Sequence, residues 1–131
     1  MFFERNFKSP HLQIQCVAVP SEKEDAVKEI FVEVAAMQFV NLDELPPHAE
    51  LRQVVQQGKP YFFLELPNKE RFVCQIRGRF PLQFGREVLA HKELLNCAER
   101  VDWKNCPSSR DQEIKETTRF RQILQPFDFT L

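Results

Sequence analysis

Glycine is scarce in this chain: three in 131 residues, against 13 Phe and 43% hydrophobic residues. So little glycine with 11% aromatic content excludes a flexible linker and argues against disorder. An excess of one charge is also missing. Lys plus Arg is 18 and Asp plus Glu is 19, a formal net charge of −1. No global field draws the chain onto nucleic acid or a membrane, so any RNA contact has to come from a local patch. No run of ~18 apolar residues exists to cross a bilayer. The opening MFFERNF is charged by its fourth residue and lacks an apolar h-region, so it does not read as a secretory signal. Cys16, Cys74, Cys97 and Cys106 include no C-x-x-C pair. They read as reduced thiols of an intracellular protein, in cytoplasm or nucleus, and not as zinc ligands. No metal and no cofactor is expected. Internal repeats and low-complexity tracts are absent as well.

What is present suits one compact domain, or a domain plus part of another, burying roughly two-thirds of its unfolded surface. Residues 2–7 read as a strand and residues 12–19 as a second. Ser21 to Glu24 forms a capping box pattern ahead of a helix. That helix carries Val27, Ile30, Phe31 and Val34 on one stripe and runs to about Met37. Residues 38–42 read as a short extended piece. Pro46-Pro47 is the clearest break, and a short helix near Leu51, Val54 and Val55 is stopped by Gly58 and Pro60. YFFLEL (61–66) and RFVCQI (71–76) form a hairpin through Pro67 to Glu70. A turn over Arg77 to Pro81 leads into a helix from Leu82, with Phe84, Val88 and Leu95 on one face. Gly85 suits close helix packing. Residues 97–107 are irregular. Ser109 to Gln112 offers a second capping box, and a helix follows with Ile114, Thr117, Phe120 and Leu124, ended by Pro126. The tail from Phe127 is apolar enough to pack back on the core. The fold class expected is α+β: strands and a capped helix, then a β-hairpin with flanking helices.

Two groups of residues carry possible chemistry. In H-L-Q-I-Q-C-V-A-V-P (11–20), His11, Gln13 and Gln15 alternate with Leu12, Ile14 and Cys16. Alternate residues share one face of a strand, so three polar groups would line one pocket. They bind phosphate, or they are a polar face meeting solvent or a partner. Glutamine cannot act as nucleophile or base near neutral pH, but it can donate to a phosphate oxygen. No catalytic residue is expected. In Q-I-R-G-R-F-P-L-Q-F-G-R (75–86), Arg77, Arg79 and Arg86 flank Phe80 and Phe84. Arginine pairs bidentately with phosphate and exposed aromatics stack on bases, which makes this an RNA-contacting candidate. The plainer reading is a solvated turn beside a core-facing Phe pair. His48 and His91 have no partner at ligand spacing in the sequence. Trp103 reads as a loop anchor or an interface residue.

Residues 11–17 resemble the histidine-triad strand H-φ-H-φ-H-φ-φ, with φ apolar. There the middle histidine is the nucleophile on a nucleotide phosphate; here that place is Gln13. A wider resemblance covers the chain. FFERN (2–6), HLQIQ (11–15), PYF (60–62), FPLQFGREVL (80–89), VDW (101–103) and PFDFT (126–130) are similar to the C-terminal region of the CwfJ family of splicing-associated proteins. The resemblance implies residues 1–45 as the C-terminal part of a histidine-triad-like module, incomplete here, and 46–131 as a second module, the two sharing one core. On it the chain is expected to be a piece or short form of a longer protein. It implies a non-enzymatic, nuclear interaction module of late pre-mRNA splicing and intron-lariat turnover. Its partners would be spliceosomal proteins and the lariat-debranching enzyme, with branched or single-stranded RNA and no membrane. The rival expectation is a histidine-triad nucleotide hydrolase or transferase.

Overall fold

The structure is a computed structural model that describes residues 1–8 and 11–130. It divides into two units, Met1–Val101 and Asp102–Leu131. The fold is α+β, as the pattern predicts. The first unit is built on a five-stranded sheet: β1 (Phe2–Asn6), β2 (Ile14–Cys16), β3 (Asp43–Leu45), β4 (Tyr61–Glu65) and β5 (Arg71–Gln75). The order is β2-β1-β4-β5-β3 and every neighbouring pair is antiparallel.

The β4–β5 hairpin sits where the alternation puts it, with Leu64 opposite Phe72 and Phe62 opposite Cys74. The turn closes through Lys69 N–H to the Leu66 carbonyl (3.0 Å), with Lys69 itself at φ +72°. This is a three-residue loop with one left-handed residue, a common hairpin connection. One face of the sheet carries Phe3, Phe62, Leu64, Phe72 and Cys74. Helix α1 (Glu24–Met37) supplies Val27, Ile30, Phe31 and Ala35 to the same buried cluster, and α3 (Phe84–Leu89) supplies Phe84, Val88 and Leu89. The cluster therefore draws on both sides of Pro46-Pro47. Phe84 meets Phe62 and Phe31 edge-on, at centroid separations of 5.1 and 6.0 Å. Burying each such side chain contributes about 1.5–3 kcal/mol. Gly85 permits the close approach: a Cβ there would stand 2.6 Å from two ring carbons of Phe3.

The opposite face is partly covered by the 46–55 segment. Arg71 Nη2 lies within hydrogen-bond distance of the carbonyls of Pro46 (2.7 Å), Pro47 (2.7 Å) and Ala49 (2.9 Å). Gln75 Nε2 donates to the Val54 carbonyl at 3.1 Å, at the end of the short helix α2 (Leu51–Val54). Leu45, Val55 and Val73 are buried on that side.

Several expectations are corrected. The strand predicted over 12–19 pairs only over Ile14–Cys16, extended by mutual bonds between Met1 and Val17. The Ser21 box does not form. A 3₁₀ turn over Ser21–Lys23 closes by Lys23 N–H to the Pro20 carbonyl, and no side chain caps α1. The extended piece expected at 38–42 lies instead at Asp43–Leu45. The helix expected from Leu82 to Leu95 spans only Phe84–Leu89; His91 accepts from Glu93 N–H and Asn96 takes φ +47°, which turns the chain away.

In the second unit, Ser109 caps α4 (Arg110–Leu124) by accepting from Gln112 N–H at 3.2 Å, which is half of the expected box; the Gln112 side chain donates to Glu116 instead of reaching back. Pro126 lies in a terminal 3₁₀ turn. Within this unit Phe127 and Phe129 are exposed, and Asp128 accepts from both the backbone and the hydroxyl of Thr130. Leu131 lies outside the described residues. Among the described residues no helix is long and apolar enough to cross a membrane.

Candidate functional site

Of the polar residues of the 11–20 stretch, Gln15 alone lies within a strand. His11 and Gln13 precede β2 and are exposed. Gln15 is opposite Phe3, and directly opposed residues share a face, so Gln15 looks toward the helices while Ile14 on the other face is 61% exposed. Gln15 shares a small cavity of about 10 Å³ with Arg5, Gln83 and Arg86. That is room for one water at most. Arg5 is the residue this corner adds to the sequence reading. Its Nη1 donates to the Phe7 carbonyl at 3.4 Å and its guanidinium lies 5.0 Å from the Phe7 ring centre. Among the described residues its buried Nε has no hydrogen-bond partner, and burial pulls the guanidinium down from its ordinary value.

The three arginines of the second candidate are separated. Arg86 is half-buried at the Gln15 corner, where its Nη2 donates to the Arg100 carbonyl at 2.9 Å. Arg77 and Arg79 are exposed, and among the described residues neither has a hydrogen-bond or ion-pair partner. They line a groove of about 380 Å³ with Phe39, Asn41, Asp43 and Phe80. Phe80 and Phe84 are not free stacking platforms. Phe84 is 1% exposed, and Phe80 stacks on Phe62 (5.4 Å) and meets Phe84 edge-on (5.6 Å). Cys74 also borders the groove, but burial pushes its thiol up, so it supplies no thiolate nucleophile at neutral pH.

Phe39 is the residue that sequence reasoning missed. Helix α1 ends in paired bonds, Val40 N–H to the Ala35 carbonyl (2.8 Å) and Phe39 N–H to the Ala36 carbonyl (3.3 Å). This Schellman closure needs a left-handed residue at the place where glycine is usual. Here it is Phe39 at φ +57°. That backbone costs a residue with a side chain about 1–2 kcal/mol. The ring gains no burial in return, being 97% exposed. The available signal was a helix stripe ending at Met37 with no glycine to close it. Among the described residues no group of three or more His, Cys, Asp or Glu could hold a metal ion.

The chain is 47% identical over 133 residues to CWF19-like protein 1 of Xenopus laevis, covering 100% of this chain and 25% of that protein. It is 43% identical over 131 residues to CWF19-like protein 1 of Homo sapiens, covering 98% of this chain and 24% of that protein. To CWF19-like protein mug161 of Schizosaccharomyces pombe it is 31% identical over 122 residues, 92% of this chain and 20% of that protein. The chain thus spans about a quarter or less of the length of these curated relatives. Residues 35–130 match the family described as protein similar to CwfJ C-terminus 2, which takes in the groove, the hairpin, α3 and α4, and the chain belongs to that CwfJ C-terminal family.

Proposed function

We propose that this chain is a non-enzymatic, splicing-associated interaction module of the nucleus, acting in late pre-mRNA splicing and intron-lariat turnover. Its family membership carries the reading. Spliceosomal proteins and the lariat-debranching enzyme are the partners proposed, and the Arg77–Arg79 turn is the place proposed for RNA contact. Two exposed guanidiniums without partners among the described residues support that contact. His11, Gln13 and Gln15 are proposed as an inherited polar strand that can donate to a phosphate but has no nucleophile at its middle position. Gln15 borders a cavity with Arg5 and Arg86, while His11 and Gln13 are exposed to a phosphate arriving from solvent. Residues 1–45 and 46–131 are proposed as the two ancestral modules.

The test is recovery of RNA with the tagged chain from a splicing-competent nuclear extract. Excised lariat intron should be enriched over unspliced precursor relative to a tag-only control. Equal recovery of both RNAs would sink the reading. So would turnover of a nucleoside phosphoramidate that survives Gln13→Ala, which would point to the hydrolase or transferase instead.

A further inference from the structure

We infer that Phe39 is a base-stacking platform, and that with Arg77 and Arg79 it makes the groove a binding site for single-stranded RNA. The inference rests on the RNA-contacting reading of the Arg77–Arg79 turn and names the ligand class and the missing aromatic.

Single strands are held by cationic grooves that track phosphates and by aromatic faces that take bases without sequence readout. The sequence offers Phe80 and Phe84 for the second role, but Phe84 is buried and the half-buried Phe80 is held against Phe62 and Phe84 at the groove wall. Phe39 replaces them: it borders the same groove, it is 97% exposed, and its backbone holds a left-handed conformation that favours glycine. A bulky residue at that place works against the fold, and packing does not explain it. Arg77 and Arg79 bring two guanidiniums that no carboxylate neutralises among the described residues. Asp43 is the acidic member of the groove, and its carboxylate accepts from the Asn41 amide at 3.3 Å. It disfavours a phosphate at its own end and can accept from the exocyclic amino group of a base, which directs the backbone toward the arginines. A duplex keeps its bases stacked on each other, so it cannot use Phe39.

The experiment is fluorescence anisotropy of a labelled twelve-nucleotide oligoadenylate with the full 131-residue chain, across a salt series, with a matched RNA duplex alongside. Phe39→Gly is the informative variant because glycine suits the left-handed backbone. It should weaken binding roughly 5- to 150-fold. Its unfolding temperature should stay the same or rise by up to about 5 °C. The double substitution Arg77→Ala with Arg79→Ala should weaken binding and reduce the slope of log affinity against log salt by about 0.7 for each phosphate no longer neutralised. Unchanged affinity in Phe39→Gly with weaker binding by the arginine variant would overturn the stacking role and leave the RNA-contacting reading standing. A fall in unfolding temperature with Phe39→Gly would make the residue structural and also overturn it. Equal affinity for the duplex would overturn the single-strand assignment. No binding by the wild-type chain would overturn both the inference and RNA contact at the turn, while lariat recovery from extract would still decide the splicing role.

Discussion

Tyr61 is the single tyrosine of the chain, so its ionisation can be watched alone. Its hydroxyl donates to Glu4 Oε2 at 2.9 Å, and Glu4 is only 8% exposed. Burial first, then the bond to that carboxylate, pushes the phenol up to about 12. An unfolded tyrosine ionises near about 10. The folded state therefore keeps a proton that the unfolded chain has lost. This contribution to stability is fully present below about pH 10 and is lost as pH rises through the folded value of about 12. Phenolate absorbance should show a midpoint near 12 in the folded chain and near 10 in urea; a folded midpoint near 10 would remove the Tyr61–Glu4 interaction from the account. Tyr61→Phe leaves a buried carboxylate without that donor and should cost about 1–3 kcal/mol in urea unfolding at neutral pH. Gly85 makes a second single-residue case. Alanine there would drive a methyl group into the packed Phe3 ring, and overpacking of this kind costs about 1–3 kcal/mol. A lower urea midpoint with an unchanged slope is expected, and a neutral Gly85→Ala would mean that α3 and β1 separate easily.

Among the elements, the 46–55 segment depends on side chains of β5 for its place. One guanidinium nitrogen serves three carbonyls, and Gln75 holds the end of α2. Arg71→Ala should cost about 1.5–3 kcal/mol, since hydrogen bonds to charged groups are worth that much. Hydrogen exchange should speed up over residues 46–55 while the β4–β5 amides stay protected, and uniform loss of protection would show that the segment is part of the sheet's own cooperative unit. Elements whose causes are local were legible in the sequence: the hairpin from its alternation, α1 from its apolar stripe, α4 from its Ser109 cap. The rest depends on distant partners. Arg71 finds carbonyls 22 to 25 residues away. Gln15 borders one cavity with Arg5 and Arg86 through the pairing of β2 with β1, and no spacing in the chain reveals that register. The facing of the 11–20 stretch was illegible for the same reason. Its alternation is real, but the pairing turns Gln15 inward and Ile14 outward, the reverse of what polarity suggests. The groove was half legible: Arg77 and Arg79 were visible as a charged turn, while Phe39 enters only through the way α1 closes.

At the scale of the whole molecule, burial is uneven. Every residue of the buried cluster, from Phe3 to Leu94, belongs to Met1–Val101. In Asp102–Leu131 no described residue is buried, and Ile114, Phe120, Ile123 and Leu124 of α4 are all exposed. A fifteen-residue helix without a packed face is marginal in water, and a serine cap adds only about 1 kcal/mol. Two consequences follow for separated pieces. Residues 1–101 should fold alone, with a cooperative thermal transition close to that of the full chain, because the core is complete within them. A peptide of residues 102–131 should be mostly unstructured by circular dichroism and gain helix in trifluoroethanol. Failure of residues 1–101 to fold would mean that this unit is not independently stable. The groove residues Phe39, Arg77 and Arg79 all lie in the first unit. Oligoadenylate affinity should therefore survive the truncation within about a factor of two, the range in which the removed residues contribute less than RT to binding. A larger drop in affinity would mean that residues 102–131 bind RNA in their own right, α4 carrying Arg110, Lys115, Arg119 and Arg121.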